Sequence, residues 1–284
     1  MKININKRQK TMIKKRVIPG FGISIGITIT FLTLIVLIPI SSIAIYVSGI
    51  SLNEFIEIIT DKQVVSGYKV SFFCALIAAL INAIFGTILA WVLVRYEFIG
   101  KRVLDGLIEL PFALPTAVAG ITLTSLYSDK GWIGSIFAEA GIQIAYTKIG
   151  IIIAMIFIGI PFVVRSIQPV LEKMDTQYEE AATMLGANGH RIFFKVILPE
   201  IFPAMLTGFG LALARGIGEY GSVVFIAGNM PYKTQIAPLL IMTKLEQFKY
   251  ADATAIALVM LVASFIILLL INMIQSYVNK ITNN

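Results

Sequence analysis

The chain has 284 residues, 57% of them hydrophobic and 14% charged, with a mean hydropathy of +0.87 and a net charge of +7. A single core cannot bury that much apolar surface, so a soluble domain is excluded and several bilayer spans are required. One cysteine (Cys74) and one histidine (His190) exclude a disulfide framework and any metal site built from several Cys and His ligands. Cys74 lies among Phe72, Phe73, Ala75 and Leu76 and reads as a small buried filler; His190 reads as a solvated residue. The positive charge does not indicate nucleic acid. Lys2, Lys7, Arg8, Lys10, Lys14, Lys15 and Arg16 crowd ahead of the first apolar run with no aromatic residues among them. That pattern marks a cytoplasmic flank, with membrane lipid headgroups as the anionic partner.

Taken in chain order, residues 1–19 form a basic cytoplasmic segment and 20–278 a membrane domain. The run Val17 to Asn53 is uncharged and far longer than a signal-peptide core, so it is a true span, at about 20–47, bent or ended by Pro39. A polar stretch with Glu54, Glu57, Asp61 and Lys62 is expected outside. The second span covers about 69–94 and closes on a basic inner turn with Arg95, Lys101 and Arg102. The third, about 107–127, contains Pro111 and Pro115. An outer loop follows, with Gly131-Trp132-Ile133-Gly134 as an interfacial anchor. The fourth span is uncharged only from Ile149 to Val164, too short for a hydrocarbon core of about 30 Å. Arg165 is therefore expected to snorkel, or Pro161 to break the helix. A fifth span at about 201–226, an outer turn at Gly228-Asn229-Met230-Pro231, a re-entrant or surface segment to about 250 and a sixth span at about 253–277 complete the order. The tail, 279–284, returns to the cytoplasm. Inner segments hold fifteen Lys and Arg against seven outside, which places both termini in the cytoplasm of a multi-pass cell-membrane protein. No Gly-x-x-x-x-Gly-Lys-Ser/Thr occurs, so no P-loop binds ATP here.

The loop over 171–200 is the most informative stretch. Thr176 and Glu179 have capping-box spacing. Met174, Tyr178, Ala181, Ala182 and Leu185 recur on one small apolar helix face. Gly186 stops the helix where a left-handed residue is wanted, Asn188-Gly189 starts a second short helix, and Pro199 suits the first turn of the next span. Within the fifth span, Gly210, Ala214, Gly218 and Ser222 stand four apart, as do Gly208, Ala212 and Gly216; small residues so spaced let helices approach closely. Arg215 and Glu219 lie one turn apart in that span, and no other charge is expected deep in a span. Each costs about 2.5–3.5 kcal/mol at a span centre, so neither should face lipid. A structural ion pair is favoured for them over an anion-drawing arginine in the pathway.

The motif Glu180-Ala181-Ala182, Gly186, Val196-Ile197-Leu198-Pro199 resembles the coupling loop of binding-protein-dependent ABC importer permeases, with Val196 where isoleucine is commoner. Arg215-Gly216-Ile217-Gly218-Glu219-Tyr220-Gly221-Ser222 and Leu110-Pro111-Phe112-Ala113-Leu114-Pro115 through Gly120 look like CysT-type sulfate/thiosulfate permeases, over roughly residues 20–278. The resemblance implies an all-α, six-span fold of the type I importer (MetI-like) class. It also implies an ATPase-coupling role for Glu179, Glu180, Ala181, Ala182, Gly186, Leu198 and Pro199. The implied partners are two ATPase subunits, a related CysW-type permease chain and an extracytoplasmic sulfate-binding protein. No cofactor is bound by this chain, ATP and Mg being used by the ATPase. The function implied is sulfate/thiosulfate import by a non-enzymatic subunit, with molybdate or tungstate as the alternative cargo. An ion-coupled secondary transporter would need a midplane ion site and an internal repeat. An intramembrane enzyme would need HExxH or paired intramembrane aspartates, and neither is present.

Overall fold

The structure is a computed structural model that describes residues 21–282; the basic segment 1–19 and the last two residues of the tail lie outside the described residues. All regular structure among the described residues is helical. Among the described residues five helices are long and apolar enough to cross a membrane, and one sharply bent pair of helices meets the same length and composition together.

The first crossing joins α1 (Phe21–Leu32) through a π turn at Thr33–Leu37 to α2 (Ile38–Ser48). The wide turn sits directly before Pro39, whose ring cannot donate to the preceding turn, and the helix runs on rather than ending. No residue of this crossing is buried; α2 reaches the body of the molecule, touching the last helix. Ser51 caps α3 (Leu52–Thr60) by accepting from the Glu54 amide at 3.2 Å. Asp61 caps α4 (Lys62–Arg95), accepting from Gln63 N and Val64 N. The buried side of α4 is mostly small: Ala75, Ala78, Ala79, Ala83, Gly86 and Ala90. That stripe lets two other helices lie close against it, where dispersion rather than the hydrophobic effect holds helices together in lipid.

The expected third span is two helices. α5 (Lys101–Ala113) and α6 (Thr116–Tyr127) meet at 115° across Leu114-Pro115. Leu114 precedes a proline and is extended, with ψ 136°, so the helix cannot continue through it. Trp132 stands 89% exposed in the next turn, as an interfacial anchor should, ahead of the short α7 (Gly134–Glu139).

α8 (Lys148–Lys173) runs unbroken through Pro161 and Pro169, which corrects the expectation of a break at Pro161. Arg165, for its part, meets acidic partners, Asp105 and Glu109 of α5. After the loop helices α9 (Gln177–Met184) and α10 (Gly189–Ile192), a second π turn at Phe193–Ile197 leads into α11 (Leu198–Ile217). Pro199 thus lies just past a π turn in a nearly continuous helix rather than at a fresh start. α11 ends nine residues earlier than the expected fifth span; α12 (Val223–Ile226) is a separate turn. α13 (Ala237–Glu246) packs on α4 and on α14 (Tyr250–Thr282), and its first amide, Ala237 N, donates to Ser71 Oγ of α4 at 2.8 Å.

The core is the α4–α8–α11 trio, where Cys74, Ile151, Met155, Ile167, Leu171, Ile201 and Ile217 are fully buried. Of the two small-residue rows, Gly208, Ala212 and Gly216 form the real contact. A Cβ on Gly208 would lie 2.6 Å from Val163 Cα, and one on Gly216 3.3 Å from Ala75 Cβ. The row Gly210, Ala214, Gly218 and Ser222 is not continuous. Gly210 packs against Ile271 and Ala214 is half-buried, but Gly218 is exposed at the helix end and Ser222 lies off the helix. The chain leaves the helical path there because the Glu219 side chain binds the Ser222 amide ahead of it.

Candidate functional site

The loop between α8 and α11 is built by local chemistry. Asp175, not Thr176, accepts from the Gln177 amide, at 3.0 Å; Thr176 has helical φ and ψ and makes no side-chain cap. The expected capping box is therefore absent, because the Glu179 carboxylate is drawn elsewhere. Its Oε1 lies 2.8 Å from Nη2 of Arg95, a charge–charge contact rather than an aligned hydrogen bond, and the same Nη2 donates to the Met174 carbonyl at 3.3 Å. α9 closes in a Schellman arrangement: Ala187 N donates to Ala182 O at 3.0 Å and Gly186 N to Thr183 O at 2.9 Å. Gly186 has φ +81°, the left-handed value expected of it. Asn188 then caps α10, accepting from the Arg191 amide at 3.0 Å.

This geometry sorts the loop residues. Glu180, Ala181, Gly186 and Pro199 are exposed, while Ala182 and Leu198 pack partly against the core and Glu179 is held by Arg95. Tyr178, Met184 (89% exposed) and Leu185 (88% exposed) make an apolar tip that no described residue covers. His190 is exposed, as expected.

Arg215 and Glu219 pair one turn apart, as their spacing predicts. Glu219 is almost wholly buried; besides Arg215 it accepts from Ser222 N at 2.8 Å and Ser222 Oγ at 3.0 Å. Arg215 keeps about a third of its side chain open. The turn they hold is pressed against the start of α6. A Cβ on Gly221 would lie 2.1 Å from Thr116 Oγ1, and one on Gly120 2.5 Å from Ser222 O. The stretches Leu110–Gly120 and Arg215–Ser222, far apart in sequence, are thus one packed unit.

Two charged groupings escaped the sequence reading. In the sequence Arg95 shows only as part of a basic turn. Arg165 meets Asp105 and Glu109, each at 2.7 Å, and Gln168 joins them. The available signal was Asp105 and Glu109 four apart on an amphipathic helix, two carboxylates that need a cation in an apolar setting.

A family model described as the binding-protein-dependent transport system inner membrane component matches residues 82–283. The sulfate transport system permease protein CysT of Salmonella typhimurium is 47% identical over 262 residues, 92% of this chain and 95% of that protein. The protein of the same name from Synechocystis sp. is 46% identical over 258 residues, 91% and 90% of the two chains. Among solved structures, a bacterial alginate ABC transporter in complex with alginate pentasaccharide-bound periplasmic protein aligns with TM-score 0.76 at 16% identity, over 91% of this chain and 94% of that one. The MetNI methionine ABC transporter in an inward-facing conformation aligns with TM-score 0.51 at 16% identity, over 73% and 94%. These structures share the fold. The chain therefore belongs to the family of binding-protein-dependent transport system inner membrane components, as a non-enzymatic, multi-span permease subunit of an ABC importer.

Proposed function

We propose that this permease imports sulfate, and thiosulfate with it, using ATP and Mg bound by two separate ATPase subunits. The observation that carries the cargo is the identity of 47% to a sulfate permease along nearly the whole of both chains. A second permease chain of the CysW type and an extracytoplasmic sulfate-binding protein complete the assembly. The loop 171–200 is the ATPase-docking surface, reading ATPase motion through Glu180, Ala181, Gly186 and the exposed Met184 and Leu185. Support comes from the loop's form: a helix fixed at both ends, with an apolar tip left bare. The excess of Lys and Arg on the loop's side supports a cytoplasmic location for the loop and both termini.

Arg215 and Glu219 act as scaffold in this reading, holding the turn that carries Gly221 and Ser222 against α6. The full engagement of the Glu219 carboxylate supports that role over a free charge in the pathway.

The test is reconstitution of the chain with its ATPase, second permease and binding protein in liposomes, reading uptake of radiolabelled sulfate with thiosulfate and molybdate as competitors. ATP-dependent sulfate uptake, displaced by thiosulfate, is expected. Molybdate uptake without sulfate uptake overturns the cargo. Sulfate movement by the chain alone, driven by an ion gradient, overturns the importer reading.

A further inference from the structure

We infer that Arg95 is a positioning residue for coupling, and that α4 is the lever through which the loop moves the membrane helices; the inference rests on the ATPase-docking reading of that loop. The loop is covalently continuous with α8 and α11 only. Yet α4, which neither precedes nor follows it in sequence, grips it on both arms. Arg95, the last residue of α4, reaches Glu179 at 2.8 Å in the first turn of α9 and the carbonyl of Met174 at the end of α8 at 3.3 Å. Both charged side chains are largely shielded, 14% and 23% exposed, so the pair is screened less than a surface pair. One turn earlier on α4, the Trp91 ring lies 5.2 Å from Phe193 in the returning arm.

The other end of α4 is pinned as well. Gln63 Nε2 donates to Gln235 Oε1 at 2.6 Å, and Ser71 Oγ accepts from Ala237 N at 2.8 Å. A helix of 34 residues, about 50 Å long, therefore joins the loop to the segment around Gln235 on the far side. The two adjacent glutamates divide the work. Glu179 faces inward to α4, and Glu180, exposed, is the one free to meet a partner.

The test uses the full complex in liposomes with Arg95→Met, Glu179→Gln and the exchange Arg95→Glu with Glu179→Arg. Three quantities are read: ATPase retained on purification, sulfate moved per ATP hydrolysed, and the rate of tryptic cleavage at the exposed Lys173 and Arg191 that flank the loop helix. Each single variant is expected to keep its ATPase and its hydrolysis while sulfate per ATP falls about fivefold and cleavage speeds up by a similar factor. The exchange should recover at least half of both losses. Glu180→Gln should weaken ATPase retention and leave cleavage unchanged. Unaltered sulfate per ATP in Arg95→Met overturns the lever, as does outright loss of the ATPase, which would make the pair part of the docking surface. An exchange that restores nothing overturns the ion pair. Failure of the unaltered complex to move sulfate counts against the proposed function alone, since the tryptic comparison needs no substrate and still decides the clamp.

Discussion

Gly120→Ala is the sharpest probe of the packed unit formed by α6 and the Glu219–Ser222 turn. The added Cβ would lie 2.5 Å from the Ser222 carbonyl oxygen and 2.9 Å from its Cα. Carbon contacts settle at about 3.5–4.0 Å, so one backbone must retreat by roughly an ångström. Overpacking of that kind costs about 1–3 kcal/mol. Retreat of Ser222 also draws its amide and hydroxyl away from the buried Glu219 carboxylate. An unsatisfied buried acceptor adds about 1–3 kcal/mol. Alanine's better helix propensity returns up to about 1 kcal/mol, which leaves a net loss of about 1–5 kcal/mol. At about 2–4 °C per kcal/mol for a chain of this size, the melting temperature of the purified protein in detergent should drop by roughly 2–20 °C. Gly106→Ala is the control. It sits in α5 with nothing within 4 Å of its added carbon, and should melt at or slightly above the parent temperature. If Gly120→Ala melts no lower than Gly106→Ala, the two stretches are not pressed together as described.

Other consequences follow from the same geometry. Gly186→Val forces a β-branched residue to φ +81° at a cost of about 1–2 kcal/mol, so ATPase co-purification should weaken while membrane insertion persists; Gly189→Ala, with open space around it, should behave as the parent. Equal ATPase retention in both variants would remove Gly186 from the docking argument. Glu219→Gln keeps an oxygen for the Ser222 amide and should be more stable than Glu219→Leu by about 1–3 kcal/mol in thermal melts, with sulfate uptake following stability. A Glu219→Gln protein that assembles normally yet passes no sulfate would put the charge itself in the pathway and end the scaffold reading. In a Cys74→Ala background, a single cysteine at the exposed Asn188 should react with an impermeant reagent only from the cytoplasm, and one at the exposed Asp61 only from outside. Labelling of position 188 from outside would reverse the orientation.

How much of this was legible in the sequence follows from range. Apolar runs of bilayer length announce helices because lipid leaves backbone groups no other partner, and so the crossings could be counted from composition alone. Gly186, Asn188 and the Arg215–Glu219 spacing were equally readable, since a left-handed turn, a helix cap and an i,i+4 pair are decided within a few residues. The capping box at Thr176 failed for the opposite reason. Glu179 had a local use that sequence suggested, but a guanidinium 84 positions away, brought to 2.8 Å by the packing of α4, offered a stronger one. Arg165 tells the same story: alone it looked like a charge that must escape to the interface, and only the 115° turn at Pro115, which lays α5 beside α8, supplies Asp105 and Glu109. Which small-residue row packs was also settled by tertiary structure, because Glu219 ends α11 before the longer row can form. Sequence by itself determined most of the apolar helices and the form of the loop, both set by short-range periodicity and spacing, while the family was carried by the likeness of its motifs to known permeases. Charge partners and close helix contacts were decided by the fold, because a side chain chooses among every acceptor within reach, and reach is set by packing between residues distant in sequence.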